Sequence, residues 1–377
     1  MLILAAVVAI FVYGMTAAML GTILPELSSR FQLTPRQNGT IAFAQALGLM
    51  LASLAVGPLL DDFGKKAGLI LGLALIFAAL LALPRSAGFR SVVLLLFLLG
   101  MGGGIVVTGA NALTSDVAEA HRATALNLVN IFFGLGGLAT PFLSANLLKG
   151  NWRRLCMTVG GLTFAALLIQ AAAHMPPPTG AGRFIFADAG EVLGRPALFL
   201  LGFLLFLYVG CEVGVWNWLV RHLIAQGIAE SRALNILSLG FALGLLVGRV
   251  GVSPILLGVR PVYVTLAASV AMAVTTFLML RTNRPGPAAV LVFLAGLAMA
   301  PVFPTALAIV ADAFPRMTST AIGIVITCGW AGLAVSSHII GAIAGQDPKR
   351  IRTALLVIPA SSVLMIGLNL AILAIVR

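Results

Sequence analysis

Charge is what this sequence lacks. Only 9% of its 377 residues are Asp, Glu, Lys or Arg, against about 25% in soluble globular domains. Hydrophobic residues make up 60%, and the mean hydropathy is +1.11. A chain of this size cannot hide so much apolar surface from water, which excludes a soluble globular protein. Cysteine is almost missing as well. Cys156, Cys211 and Cys328 all lie in apolar runs and read as small buried residues, which leaves no disulfide framework. The four histidines, His121, His174, His222 and His338, are scattered. No HExxH, CxxC or P-loop pattern occurs, so neither a metal site nor nucleotide-driven or other enzyme chemistry is expected. The Gly-rich GMGGG at 100–104 sits inside an apolar run. It reads as close helix packing rather than phosphate binding.

What is present is a series of uncharged runs of the length that crosses a bilayer. Charge, Pro and Gly divide them into twelve spans. These are 2–24, 37–60, 68–84, 91–115, 123–147 and 155–174, then 197–220, 233–257, 261–280, 287–311, 318–343 and 353–376. The first 24 residues lack a basic start, and the chain continues the same pattern, so no cleaved signal peptide is expected. The longest polar connection is MPPPTGAGRFIFADAGEVLGRP, 175–196. The expectation is an all-α membrane protein with twelve transmembrane helices in two pseudo-symmetric six-helix halves. The halves are 1–174 and 197–377, and 175–196 is the linker between them. Two such halves around a midplane cavity form a common transporter plan that works by alternating access. The expected partners are a small-molecule substrate and the lipid bilayer. The net charge of +12 does not point to nucleic acid, because the basic residues sit at span ends, where they anchor to headgroups. A non-transporting membrane receptor is the alternative from another class.

One acid sits deep in a span: Glu212, within ALFLLGFLLFLYVGCEVGVWNWLV, 197–220. A carboxylate there costs ~3 kcal/mol on insertion scales and should face a cavity or a partner. Tyr208, Glu212 and Trp216 recur at i, i+4 and i+8, so they share one helical stripe. Aromatic faces suit the C–H face of a sugar ring, and a carboxylate accepts from its hydroxyls. The same group could carry a coupling proton, or hold sodium with backbone carbonyls. Arg249 in the eighth span is a possible partner. At ~1.5 Å per residue it lies ~10 Å from the level of Glu212, which leaves a direct pair open.

Further polar candidates are Gln45, Asn111, Asn127, Asn130, Asn217, Thr327, Trp330 and His338. Amides both donate and accept, as sugar hydroxyls require, and they also tie helices together. Asn217 points about 140° away from Glu212 on the helix. Trp330 lies mid-span, whereas indoles favour the interfaces. The prolines of PVFPT, 301–305, interrupt the tenth span and free backbone carbonyls.

GPLLDDFGKK, 57–66, resembles the loop signature of the major facilitator superfamily, carried here by Gly57, Asp61, Gly64, Lys65 and Lys66. Asp62 stands where that family usually has a basic residue. FLYVGCEVGVWNWLV (206–220), GLAMAPVFPTALAIVADAF (296–314) and TALNLVNIFFGLGGLATP (124–141) are similar to the fucose–proton symporter branch. The resemblance implies the major facilitator fold, acting as a monomer, and transport of a monosaccharide or polyol by proton-coupled symport. Short loops and a single compact domain suggest an inner membrane of a bacterium. The resemblance implies a gate at Gly57, Asp61, Gly64, Lys65 and Lys66, with Arg249 counted beside it. Gly57 would permit close helix contact, and Asp61 would cap the next helix or pair with a basic group. Beyond a proton or sodium ion, no cofactor is implied. The acids expected in the first and fourth spans align with Gly21 and Val107, which leaves Glu212 as the coupling group. Alternatives are an exporter of amphipathic compounds or drugs, and an uncoupled sugar facilitator. The family orientation puts both termini and the 175–196 linker in the cytoplasm, with eight Lys and Arg on the inner side, fourteen on the outer and Arg249 within a span. The positive-inside rule favours the reverse. A basic outer rim would attract anionic solutes or headgroups.

Overall fold

The computed structural model of the protein describes residues 2–175, 190, 192–345 and 350–375. Among the described residues, twelve helices are long and apolar enough to cross a membrane. In chain order these are α1 (Leu2–Phe31), α2 (Arg36–Phe63), α3 (Lys65–Arg85), α4 (Phe89–Val117), α5 (Glu119–Leu147) and α6 (Trp152–Ala172). The remainder are α7 (Pro196–Ala225), α8 (Glu230–Ile255), α9 (Pro261–Arg281), α10 (Pro285–Ala313), α11 (Thr318–Ala344) and α12 (Ile351–Ile375). Several run past the limits set by charge alone. α1 continues to Phe31 and α7 to Ala225, because residues at the water interface can keep their helical hydrogen bonds. The expected linker over 175–196 lies for the most part outside the described residues.

Local chemistry explains the helix ends. Thr34 and Gln37 form a capping box ahead of α2, so two otherwise orphan N–H groups are satisfied. Asn151 Oδ1 accepts from Arg154 N at 3.0 Å at the start of α6. Prolines open α7, α9 and α10, where a missing N–H costs nothing. Gly64 separates α2 from α3 at φ 87°, a conformation that favours glycine. Two helices carry π-type turns, α5 at Leu143–Leu147 and α8 at Ile236–Ala242.

Contacts divide the chain into two units. Unit 1 is Met1–Glu119, Val129–Val192 and Phe314–Thr327. Unit 2 is Ala120–Leu128, Leu193–Ala313 and Cys328–Arg377. The start of α11 thus belongs to unit 1, and the start of α5 to unit 2.

In unit 1, α4 packs backbone to backbone on α2 and α3. A Cβ at Gly100 would run into the carbonyl of Gln45, one at Gly104 into that of Leu49, and one at Gly102 would lie 2.6 Å from the carbonyl oxygen of Gly72. The GMGGG run is therefore a helix-packing surface. In unit 2, Gly244 and Gly248 of α8 bring it equally close to α10. A Cβ at Gly248 would lie 2.5 Å from Ala300 Cβ and 2.8 Å from Leu297 O. Asn369 of α12 binds Thr265 and Ser269 of α9 through its side chain, an internal tie of the kind that holds membrane helices together.

Candidate functional site

α7 carries the stripe expected from its spacing. Tyr208 is fully buried, Glu212 is half-buried, and Trp216 is 38% exposed. Among the described residues, Glu212 is the only acidic side chain more than about two turns from a span end. The charged groups acting on Tyr208 are Glu212, one turn along the same helix, and Arg249. Trp216 meets Phe241 of α8 edge to face, with ring centroids 5.3 Å apart. Phe241 lies within the π-type turns of that helix, and such turns recur at functional sites.

Arg249 of α8 is 5% exposed. Its Nε donates to the carbonyl oxygen of Ala300 at 3.5 Å. Helical continuity breaks at Ala300–Pro301, between the segments Pro285–Met299 and Val302–Ala313. Pro304 has no N–H to give Ala300, its i−4 partner. The carbonyl freed by Pro304 is the one that Arg249 takes. Arg249 lies in unit 2, whereas Gly57, Asp61, Gly64, Lys65 and Lys66 lie in unit 1.

The remaining candidates fall into two sets. In the first, polar groups serve the helices themselves. Asn111 Nδ2 donates to Val107 O at 2.7 Å, and Asn130 Nδ2 donates to Asn111 Oδ1 at 2.8 Å. Asn127 Nδ2 donates to Ala123 O and to the Thr305 hydroxyl at 3.0 Å. The Thr327 hydroxyl donates to Gly323 O at 2.8 Å. His338 is exposed, with Nδ1 3.2 Å from Ala334 O. Gln45 meets α4 through its backbone. In the second set, polar groups are unengaged. The Trp330 indole N–H is buried without a partner, as is Asn127 Oδ1. Asn217 is exposed on α7. Of these candidates, Gln45, Asn111, Asn130 and Thr327 belong to unit 1. Tyr208, Glu212, Trp216, Asn217, Asn127, Trp330 and His338 belong to unit 2.

The 57–66 stretch makes a clamp within unit 1. Asp61 is 4% exposed. Its carboxylate accepts from the backbone N–H of Ser319 at 3.1 Å and of Thr320 at 2.9 Å, and from the Thr320 hydroxyl at 2.8 Å. A carboxylate at the positive end of a helix is favoured. The expectation that Asp61 caps the next helix is corrected. α3 begins after Gly64 with no side-chain cap, and the helix that Asp61 caps is α11. Lys65 Nζ lies 3.7 Å from Asp61 and 2.8 Å from Asp116. Lys66 Nζ donates to Ala173 O at 2.9 Å. Gly57 makes room, since a Cβ there would lie 2.5 Å from Thr320 Cα and 2.8 Å from Ser319 O.

Unit 2 holds a second clamp that the sequence reading missed. Arg122 pairs with Asp312. The Thr124 hydroxyl donates to Ser253 O at 3.1 Å, and Asn127 reaches Thr305. A signal was available. Asp116 and Thr124 are separated by the same interval as Asp312 and Thr320, so the two clamps use related positions of an internal repeat.

The Major Facilitator Superfamily profile matches residues 6–337. The chain is 22% identical over 378 residues to the glucose/mannose transporter GlcP of Bacillus subtilis, covering 96% of this chain and 92% of that protein. It is 29% identical over 171 residues to the 4-hydroxybenzoate transporter PcaK of Pseudomonas putida, covering 44% and 38% respectively. It spans about half or less of the length of several curated relatives that it matches. The solved structure of a variant of the E. coli fucose:proton symporter FucP superposes with a TM-score of 0.85 at 17% identity, covering 98% of both chains. Similarity at that identity speaks for the fold. The profile match and the twelve spans together carry the conclusion that this chain belongs to the Major Facilitator Superfamily, a family of membrane transporters rather than enzymes.

Proposed function

We propose that the protein is a secondary transporter of a monosaccharide or related polyol, that it works by alternating access, and that protons drive it through Glu212. The observation that carries this reading is a half-buried carboxylate in mid-span, one turn from the buried Tyr208. A membrane helix retains so costly a group where it faces a pathway or a partner. The carboxylate accepts from sugar hydroxyls, and the Tyr208 hydroxyl and Trp330 N–H supply donors. The exposed Trp216 ring offers a face for the sugar C–H groups. The names of GlcP and of the fucose:proton symporter support the same substrate class. The two clamps support the cycle, because each is a discrete set of polar ties that alternating access would break and remake.

A second reading is favoured by Arg249. A buried guanidinium in the same unit as Tyr208 and Glu212 suits a carboxylate-bearing solute, the chemistry named for PcaK. One experiment separates the two. Labelled hexoses, pentoses, polyols and 4-hydroxybenzoate are offered to proteoliposomes with and without an inward proton gradient. The expected result is gradient-driven accumulation of a sugar or polyol, with Glu212→Gln exchanging solute but no longer accumulating it. Native flux indifferent to the gradient would remove proton coupling. Accumulation of the aromatic acid alone, lost in Arg249→Gln, would replace the sugar reading with the second.

A further inference from the structure

Unit 2 has a cavity of about 680 Å³ between α8, α9 and α10. It is independent of the clamps and of the Glu212 stripe. Small residues make it: Gly248 and Gly251 on α8, Ala267 and Ala271 on α9, with Pro301 on α10. Gly251 forms part of the floor, and a Cβ built there would meet nothing within 4 Å. The rim is apolar and open. Val247, Ile255 and Leu297 are large side chains left exposed, as on a surface that faces hydrocarbon.

Three properties select the occupant. The first is length. Along α8 the lining runs from Val247 to Ile255, ~12 Å at ~1.5 Å per residue, and it continues to Val259 in the turn beyond the helix. One leaflet of the hydrocarbon core is ~15 Å deep. The second is the water end. The lining stops next to Arg260, which is exposed, and its guanidinium lies 5.8 Å from the centre of the Tyr263 ring. Tyr263 itself lines the cavity and is half-exposed. A cation and a tyrosine at the end of an apolar slot match the headgroup level of a bilayer. The third is cross-section. A helix of that length, ~10 Å across with its side chains, fills roughly 900 Å³, more than the cavity holds. A sugar would find almost no hydrogen-bond partners along this wall. A single flexible hydrocarbon chain meets all three conditions.

We propose that this groove is a binding site for an anionic phospholipid. One acyl chain lies in the slot over Gly251, and the phosphate pairs with Arg260. The groove holds one lipid of the leaflet that Arg260 faces, in place of the exchanging lipids that wet the rest of the surface.

The test uses the full-length protein, purified in detergent, depleted of lipid, and returned to phosphatidylglycerol or to phosphatidylcholine of the same chain composition. Retained lipid is counted by native mass spectrometry. Phosphatidylglycerol is expected to be held about fivefold more strongly, as one basic residue at an anionic surface contributes ~1 kcal/mol. Arg260→Gln should abolish that preference, and Arg260→Lys should keep it. Gly251→Phe should fill the slot and reduce retention of both lipids. Ala271→Leu serves the same purpose if the phenylalanine variant does not fold, as judged by circular dichroism and gel filtration. Millimolar inorganic phosphate should displace neither lipid. Equal retention of the two lipids by the native protein would overturn the proposal. So would unchanged retention in a folded slot-filling variant, or displacement by phosphate alone.

Discussion

The two clamps occupy related places in the chain and are built from different materials. In unit 1 the tie is ionic and buried. Asp61 and Lys65 are 4% and 7% exposed, and the carboxylate holds two backbone N–H groups and a hydroxyl of α11. In unit 2 the tie is mostly neutral, from Thr124 to Ser253 O and from Asn127 to Thr305. Its ion pair Arg122–Asp312 has a carboxylate that is 50% exposed. Setting Pro58 of α2 on Pro254 of α8 puts Gly57 against Ser253 and Asp61 against Leu257. The acidic position of one repeat is thus a leucine in the other. A buried charge is expensive to leave unpaired, whereas an exposed pair contributes little. The device is therefore asymmetric, and the clamp in unit 1 is the stronger of the two.

The largest expected effect follows from removing that charge. Asp61→Asn leaves the N-terminus of α11 without its carboxylate and weakens the hold on Lys65. Breaking one side of a buried pair costs about 3 kcal/mol. The variant should show the largest fall in melting temperature of the series, and should lose transport if the clamp is part of the cycle. A melting temperature no lower than that of Asp312→Asn would break the comparison.

Next comes Gly57→Ala. The new Cβ would meet Thr320 Cα at 2.5 Å, and backbone cannot step aside as a flexible side chain can. Overpacking of this kind costs about 1–3 kcal/mol. Gly251→Ala is the control, because open space receives its Cβ. The pair sharpens the comparison. If both substitutions are equally mild, the contact between α2 and α11 is looser than the clamp requires.

How much of this was legible depends on the kind of interaction. Spans were legible because an uncharged run of ~20 residues has the length of a membrane helix and not of a barrel strand. GMGGG was legible as packing, because glycine leaves backbone to meet backbone, and Pro304 was legible as a source of a free carbonyl. The partner of that carbonyl, Arg249, needed the fold. Asp61 could be read as a clamp residue, but its partners could not. They are the N–H groups of Ser319 and Thr320, and almost every residue supplies an N–H. Asn111, Asn127 and Asn130 were ambiguous for a different reason. An amide that binds a solute and one that ties helices have the same sequence, and only the geometry of Thr305 and Val107 shows these side chains engaged within the helices. Arg122–Asp312 escaped notice because each is an ordinary charge at a span end. Their meaning lies in the repeat that relates Asp312 to Asp116.

The smallest effect is expected at Asp312, and salt makes it diagnostic. Asp312→Asn removes an ion pair with a half-exposed carboxylate, worth under about 1 kcal/mol. Between 0.01 M and 1 M salt the Debye length falls from ~30 Å to ~3 Å. The difference in melting temperature between the native protein and Asp312→Asn should therefore shrink toward zero at high salt. The Asp61→Asn difference should persist, because ions do not reach a carboxylate enclosed by α11 and Lys65. Melting curves of the two variants across that salt range compare the clamps under one set of conditions. A deficit for Asp312→Asn that is as large as that of Asp61→Asn, and as insensitive to salt, would mean that the two ties are equally buried in their effect. The leucine at 257 would then cost the second clamp nothing.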